Sequence, residues 1–303
     1  MTRDPDSKDM REIAASFAGL LRLLTHDGEV ARPADICDLL VDRLRDALDR
    51  RLPSMPDGEP TFIASTFLVE AAVHSHERTE IIRLRHRDLG TLHALKTIGA
   101  DRANEAITKA MLLREARISM TLRHPNLVAV QLAIRLADGR PAIIMEWAGP
   151  SLSQRLAAGS ISSADISRAM KSLFLGLGAI HAAGYVHGDI SPANLLLCDD
   201  DFEQLKIADF GTALEHGALY SDLDVAKVAT PGFTAPELYD GDAADPRADL
   251  YSAGCVLNTL LERSGDTEDA IVGLMSAAKK LTEHSPSKRP PNAMAALQLI
   301  TEN

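Results

Sequence analysis

Three short runs, in a fixed order, constrain this chain more than anything else in it. They are His187-Gly-Asp-Ile-Ser-Pro-Ala-Asn194, then Asp209-Phe-Gly211, then Ala235-Pro-Glu237. The first holds a carboxylate, Asp189, that can accept a hydroxyl proton, and a carboxamide, Asn194, five residues on. The second adds the carboxylate of Asp209. Carboxylate and carboxamide oxygens are the hard donors that Mg²⁺ prefers. Any one run recurs by chance; their order and separations carry the weight.

The texture around them changes along the chain. From Met10 to Leu52 apolar residues fall at helical spacing (Ile13, Phe17, Leu20, Leu24, then Ile36, Leu40, Leu44), interrupted by Thr25-His-Asp-Gly28. Two amphipathic helices fit. Pro53-Ser-Met-Pro-Asp-Gly-Glu-Pro60 reads as a linker, placing a boundary near residue 60. Thr61 to Val73, Thr79 to Leu84 and Thr91 to Ile98 read as strands, the last two joined by a turn at Asp88-Leu-Gly90. Ala103 to Leu122 is a helical pattern; Leu127 to Leu136 and Ala142 to Trp147 return to strand. After Ser151 the pattern is mostly helical. Strands with one helix, then a larger helical portion, predict two lobes of different character.

Composition narrows the function classes. A formal charge of −11 argues against a nucleic-acid binder, which would carry a basic stripe. The three cysteines, Cys37, Cys198 and Cys255, lie far apart, so neither a disulfide framework nor a zinc site is expected. No run approaches the ~18 apolar residues of a membrane helix. The expectation is a soluble, cytoplasmic protein that inserts into no membrane.

Taken together, the runs resemble the protein kinase superfamily, in its bacterial serine/threonine form, over residues 60–303. The resemblance implies an α+β, two-lobed kinase-like fold with a small β-rich N-lobe (about 60–146) and a larger helical C-lobe (about 147–303). An N-terminal helical extension and linker, 1–59, would precede it. It also implies roles. Lys96, in Leu92-His-Ala-Leu-Lys96, would bind nucleotide phosphates and pair with Glu115 on the following helix. Met145 would lie beside the adenine pocket, with Glu146, Trp147 and Ala148 as the hinge. Asp189 would accept the substrate hydroxyl's hydrogen, while Asn194 and Asp209 hold Mg²⁺; His187, Phe210 and Gly211 belong to the same two motifs. Thr230 would face the substrate hydroxyl, Glu237 would pair with Arg289, and Asp249 would brace the catalytic loop.

Four departures stand out. The phosphate loop falls at His74-Ser-His-Glu-Arg-Thr79, with no glycine at its three glycine positions. It is either a solvated hairpin tip or a loop that meets phosphates through Arg78 or the histidines. Gly188 replaces the arginine that usually reads an activation-segment phosphate, so switching by that route is not expected. Ser191 replaces a lysine that touches the γ-phosphate, and losing one such group can cost ~10²–10³ in rate. Only about forty residues separate Asp249 from Arg289, which trims a region where substrates and partners dock.

The leading reading is an ATP- and Mg²⁺-dependent serine/threonine kinase acting on a protein substrate, with the N-terminal helices as a possible partner-docking element. A pseudokinase scaffold that keeps the fold and nucleotide affinity is the first alternative, and a small-molecule phosphotransferase the second. Thr230 to Glu237 speaks against the latter.

Overall fold

The computed structural model describes residues 8–49, 61–75, 79–103, 105–222 and 230–301. It falls into two compact units, one N-terminal and one running from Pro60 to the C-terminus apart from residues 137–139.

In the first unit, α1 (Lys8–Thr25) and α2 (Ala34–Asp49) flank a short hairpin of β1 (His26–Asp27) and β2 (Val30–Ala31). The Thr25–Gly28 interruption is therefore a hairpin turn, with Gly28 at φ +63°. Arg32 secures it, its main-chain N–H donating to the Thr25 carbonyl at 2.8 Å and its Nε to that of His26 at 3.1 Å.

The second unit opens with a six-stranded antiparallel sheet in the order β3-β4-β5-β6-β8-β7. Its strands are β3 (Phe62–Ile63), β4 (Phe67–Ser75), β5 (Thr79–His86), β6 (Leu92–Ile98), β7 (Val130–Arg135) and β8 (Pro141–Glu146). Central strand β6 pairs with β5 and β8, so Lys96 stands opposite Ile81 and Ile143. Side chains alternate between the faces of a strand. Leu95 joins Phe67, Leu84, Ala142 and Ile144 on one face. Ile98, two residues beyond Lys96, packs on the other against Leu112 and Ala116 of α3 (Ala106–Thr121). The buried residues of α3 include Thr108, Leu112, Glu115, Ala116 and Ser119, a single 3.6-residue stripe with a carboxylate in its middle.

Two sequence expectations shift here. Thr61 to Val73 is broken into β3 and β4 by a turn through Ala64 and Ser65, both at positive φ. Leu127 to Leu136 becomes a strand only from Val130. Before that, the Val128 N–H donates to the Ile207 carbonyl and the Ile207 N–H to the Asn126 carbonyl, both at 2.9 Å, tying the sheet to the helical lobe.

That lobe contains α4 (Leu152–Ala158), α5 (Ser163–Ala182), β9 (Tyr185–Val186), β10 (Leu195–Leu197), β11 (Leu205–Ile207) and β12 (Leu214–Glu215). Helices α6 (Pro236–Asp240), α7 (Pro246–Glu262), α8 (Glu268–Leu281) and α9 (Ala293–Thr301) complete it. Helix α5 runs through the core, burying Ile166, Met170, Leu173, Phe174, Leu177 and Ile180. The chain reaches this lobe through Gly149, at φ +81°, where an added Cβ would fall 2.4 Å from the Leu197 carbonyl oxygen. Only glycine allows so close an approach in that conformation. Helices α7 and α8 are separated only by Arg263–Thr267, which accounts for the short span between Asp249 and Arg289. Among the described residues, no helix is long and apolar enough to cross a membrane.

Candidate active site

Two antiparallel pairs, β9 with β12 and β10 with β11, bring the loops at 187–194 and 208–213 side by side. Beneath them sits Asp249 in the first turn of α7, fully buried. Its carboxylate accepts the His187 and Gly188 N–H groups at 2.8 Å each and meets His181 Nε2 at 2.9 Å. Burial opposes its charge, but His181, His187 and the Gly188 N–H outweigh that, holding the carboxyl below the usual range. The loop backbone is thus pinned by an anion whose neighbours stabilise it. His187 adds a second tie. Its Nδ1 accepts the Asp189 N–H at 3.3 Å, which assigns the ring proton to Nε2, facing the Ala208 carbonyl at 3.1 Å. The ring meets Phe210 edge-on at 5.1 Å.

Asp189 faces two partners. Its Oδ1 accepts the Thr230 hydroxyl at 2.5 Å and its Oδ2 the Asn194 amide at 2.8 Å. Burial raises the Asp189 carboxyl above the usual range, with Thr230, His187 and Asn194 pulling it back. The Asn194 amide also donates to the Asp189 carbonyl at 2.9 Å. Its nitrogen is thereby held on Asp189, leaving the side-chain oxygen as the end that can accept.

Asp209 stands at φ +66°, a conformation that carries strain outside glycine. Its Oδ1 lies 2.8 Å from Lys96 Nζ and 3.1 Å from the Gly211 N–H, while its side chain stays 43 % exposed. Lys96 Nζ also donates to Glu115 Oε1 at 2.8 Å. One buried ammonium is therefore gripped by two carboxylates from distant segments. Burial alone would lower the Lys96 pKa; Asp209 and Glu115 reverse that and raise it. Burial pushes Glu115 up to about 7 against the pull of Lys96. Asp209 moves the other way, the packing around it overruled by Lys96, and lies below the usual range.

At the junction of the lobes, Met145 packs with Ile98, Leu112 and Val130 on the α3 face of the sheet. Glu146 still belongs to β8. Its carboxylate accepts the Ala129 N–H at 2.7 Å and Lys206 Nζ at 2.8 and 3.0 Å, fixing the strand end. Trp147 lies under the Arg83 guanidinium, 5.6 Å from its ring centroid, and Ala148 is buried. His76 and Arg78, expected in the phosphate loop, lie outside the described residues. Ser191 is buried, its hydroxyl without a hydrogen-bond partner among the described residues.

Farther out, Glu237 on α6 forms a forked pair with Arg289, at 2.6 and 2.8 Å. Both are buried.

Residues 77–290 match the protein kinase domain family. The chain belongs to the protein kinase family. Its curled sheet and helical lobe are the two lobes of the kinase fold expected from the sequence. Among curated relatives, it is 34 % identical over 180 residues to the serine/threonine-protein kinase PknJ of Mycobacterium tuberculosis, covering 58 % of this chain and 30 % of PknJ. It is 32 % identical over 199 residues to a probable serine/threonine-protein kinase, PknB, of Bifidobacterium longum, covering 61 % of this chain and 29 % of the relative. With the serine/threonine-protein kinase pkn3 of Myxococcus xanthus it shares 29 % identity over 256 residues, covering 80 % of this chain and 46 % of pkn3. The chain thus spans less than half the length of these relatives.

Sequence reading of this kinase domain passed over several residues. Arg114, beside Glu115 on α3, donates to the Gly211 carbonyl at 3.4 Å and to that of Ala213. Its only sequence signal was its place next to Glu115. His181 backs Asp249 from the end of α5, and Lys206 holds Glu146; neither belongs to a kinase-like motif of the sequence. Tyr220 fills the space over Gly188, and the missing arginine there was the one available pointer.

Proposed function

We propose that this chain is a serine/threonine protein kinase that transfers the γ-phosphoryl group of ATP, with Mg²⁺, to a protein hydroxyl. The observation that carries this reading is Lys96 Nζ, 2.8 Å from both Glu115 and Asp209. Phosphoryl transfer asks mainly for positioning and charge stabilisation, and this grip sets a cation at the mouth of the metal-binding carboxylate.

The donor set fits Mg²⁺. Asp209 is ionised and partly exposed, and the Asn194 amide nitrogen is held on Asp189, which leaves two hard oxygen ligands. A cation held by Asn194 and Asp209 would neutralise charge on the phosphate oxygens. Lys96 binds and orients the phosphates. Glu115 and Asp209 hold that ammonium in place. Asp189 positions the acceptor hydroxyl and takes its proton; the Thr230 hydroxyl already donates to it at 2.5 Å. The main chain from Glu146 to Ala148 would meet the adenine ring with groups other than the Glu146 N–H, which donates to the Ala129 carbonyl at 3.0 Å, and the Glu146 carboxylate is engaged elsewhere. With no cationic side chain at position 191, transfer is expected to be slow, by ~10²–10³ relative to a site with that charge.

The test is label transfer from Mg·[γ-³²P]ATP to a basic acceptor protein, alongside Lys96→Met and Asp189→Asn. Transfer by wild type that both substitutions abolish supports the reading. Nucleotide binding without transfer, seen as a thermal shift, replaces it with the pseudokinase, for which buried Ser191 is the structural reason.

A further inference from the structure

Gly188, at φ +78°, sits beside the catalytic carboxylate with no side chain of its own, yet the space above it is filled. A Cβ built on Gly188 would fall 1.8 Å from Tyr220 Oη, 2.9 Å from Cζ and 3.4 Å from Cε1. The occupant comes from the segment between Asp209 and Glu237, from a short 3₁₀ turn at Tyr220–Asp222. Its ring packs against two apolar clusters at once. One joins Val186, before the catalytic loop, to Leu214 and Ala244. The other joins Ala235 and Leu238, where the segment ends, to Ala248 on α7. Tyr220 therefore touches the catalytic loop's approach, the start of the activation segment and its end.

The hydroxyl shows how this contact works. Tyr220 Oη is buried and, among the described residues, has no hydrogen-bond partner. Burial and the nearby Asp249 and Asp189 carboxylates raise the phenol's pKa, so it stays protonated. The ring is uncharged and holds by shape, with no hydrogen bond among the described residues. Arg114, the cation whose field also reaches Tyr220, is itself engaged with the Gly211 and Ala213 carbonyls.

We propose that Tyr220 is a positioning residue: its ring, seated over Gly188, holds the activation segment on the catalytic loop where a charged clamp on a phosphate would otherwise do so. This rests on the kinase reading above and deepens it. Packing of Tyr220, at the Tyr220–Asp222 turn, takes the place of the phosphate contact.

A double-mutant cycle tests the seat. The full-length chain carries Gly188→Ala, Tyr220→Ala or both, with Tyr220→Phe as the conservative variant. Melting temperature is measured for each, with kcat and the KM values for Mg·ATP and a basic acceptor protein. The backbone strain of alanine at position 188 is common to both backgrounds and cancels in the cycle, whereas the clash with the phenol exists only with Tyr220 present. Gly188→Ala should therefore lower the melting temperature and kcat in the wild-type background and much less beside Tyr220→Ala. Tyr220→Phe, which keeps the ring, should leave kcat within about twofold, whereas Tyr220→Ala should lower it by up to about 10²-fold through misplacement alone. Its KM for Mg·ATP should not change. Equal effects of Gly188→Ala in both backgrounds, wild-type kcat in Tyr220→Ala, or a Tyr220→Phe as poor as Tyr220→Ala would each overturn the proposal. Wild type that transfers no phosphate would defeat the kinase reading instead, and the cycle in melting temperature alone would still decide whether Tyr220 seats the segment.

Discussion

Replacing Arg289 by lysine keeps the charge and most of the length, yet the structure predicts a large loss of stability. An arginine offers five N–H donors and a lysine ammonium three. All five donors of Arg289 are engaged. Nε donates to the Glu283 carbonyl at 2.7 Å, and the two terminal nitrogens to the Glu237 carboxylate at 2.6 and 2.8 Å. The same nitrogens reach the Arg247 and His284 carbonyls at 3.0 and 2.9 Å. The side chain thus joins α6, the first turn of α7 and the loop after α8. Lysine leaves at least two of these acceptors without a donor, at about 1–3 kcal/mol for each buried group, so Arg289→Lys should cost about 2–6 kcal/mol. Arg289→Ala strands the buried Glu237 carboxylate entirely, about 3–5 kcal/mol for the pair alone, with the carbonyl losses added. Urea unfolding followed by far-UV circular dichroism gives both values from the midpoint and slope. An Arg289→Lys variant within about 0.5 kcal/mol of wild type, the range of ordinary surface substitutions, would refute the donor count as the source of stability.

Three further outcomes follow from the site. Glu115 titrates near 7, so transfer should fall as pH drops through 7, when its grip on Lys96 weakens; an acid limb in kcat/KM that survives Glu115→Gln would contradict this. Its effect on folding has the opposite sign: a carboxyl raised in the folded state stabilises most below the unfolded carboxylate pKa, and that contribution declines as pH rises toward 7. Asp249→Ala removes the acceptor of two backbone N–H groups and the partner of His181, at about 1–3 kcal/mol per orphaned group. A lower melting temperature and a larger fall in kcat are expected together, since Asp189 rides on that loop. Gly149→Ala drives a methyl toward the Leu197 carbonyl oxygen, at 2.4 Å before relaxation, and should cost about 1–3 kcal/mol in a denaturant melt; an unchanged midpoint would show that the junction yields.

Much of the site could be read from neighbouring residues. The chemistry of 187–194 and 209–211 lies in side-chain types a few positions apart, whereas Lys96 rests on the resemblance of Leu92-His-Ala-Leu-Lys96 to a kinase strand, since residues 95–98 are buried on both faces and alternation does not mark it. Glu115 is marked by the same resemblance; that it lies in the buried stripe of α3 with Leu112 and Ser119 is what the structure adds. Turns with special backbone left weaker marks. The break at Ala64 and Ser65 puts non-glycine residues at positive φ, which no composition rule marks, and the late start of β7 reflects a pairing of Leu127 with Ile207 eighty residues away.

The sequence by itself determined the fold class, the order of the lobes and the identity of the polar groups, because local periodicity and short motifs are written in adjacent residues. Only the tertiary structure decided which of those groups meet. Arg114 finds carbonyls 97 and 99 positions along the chain, and Arg289 finds Glu237 across 52. Tyr220 reaches the space over Gly188 because the β9–β12 pairing and α7 fold the activation segment back onto the catalytic loop. Such contacts depend on how whole elements pack, and the balance of burial against partners then sets the charge behaviour, burial prevailing at Glu115 and Asp189 and the partners at Lys96 and Asp249.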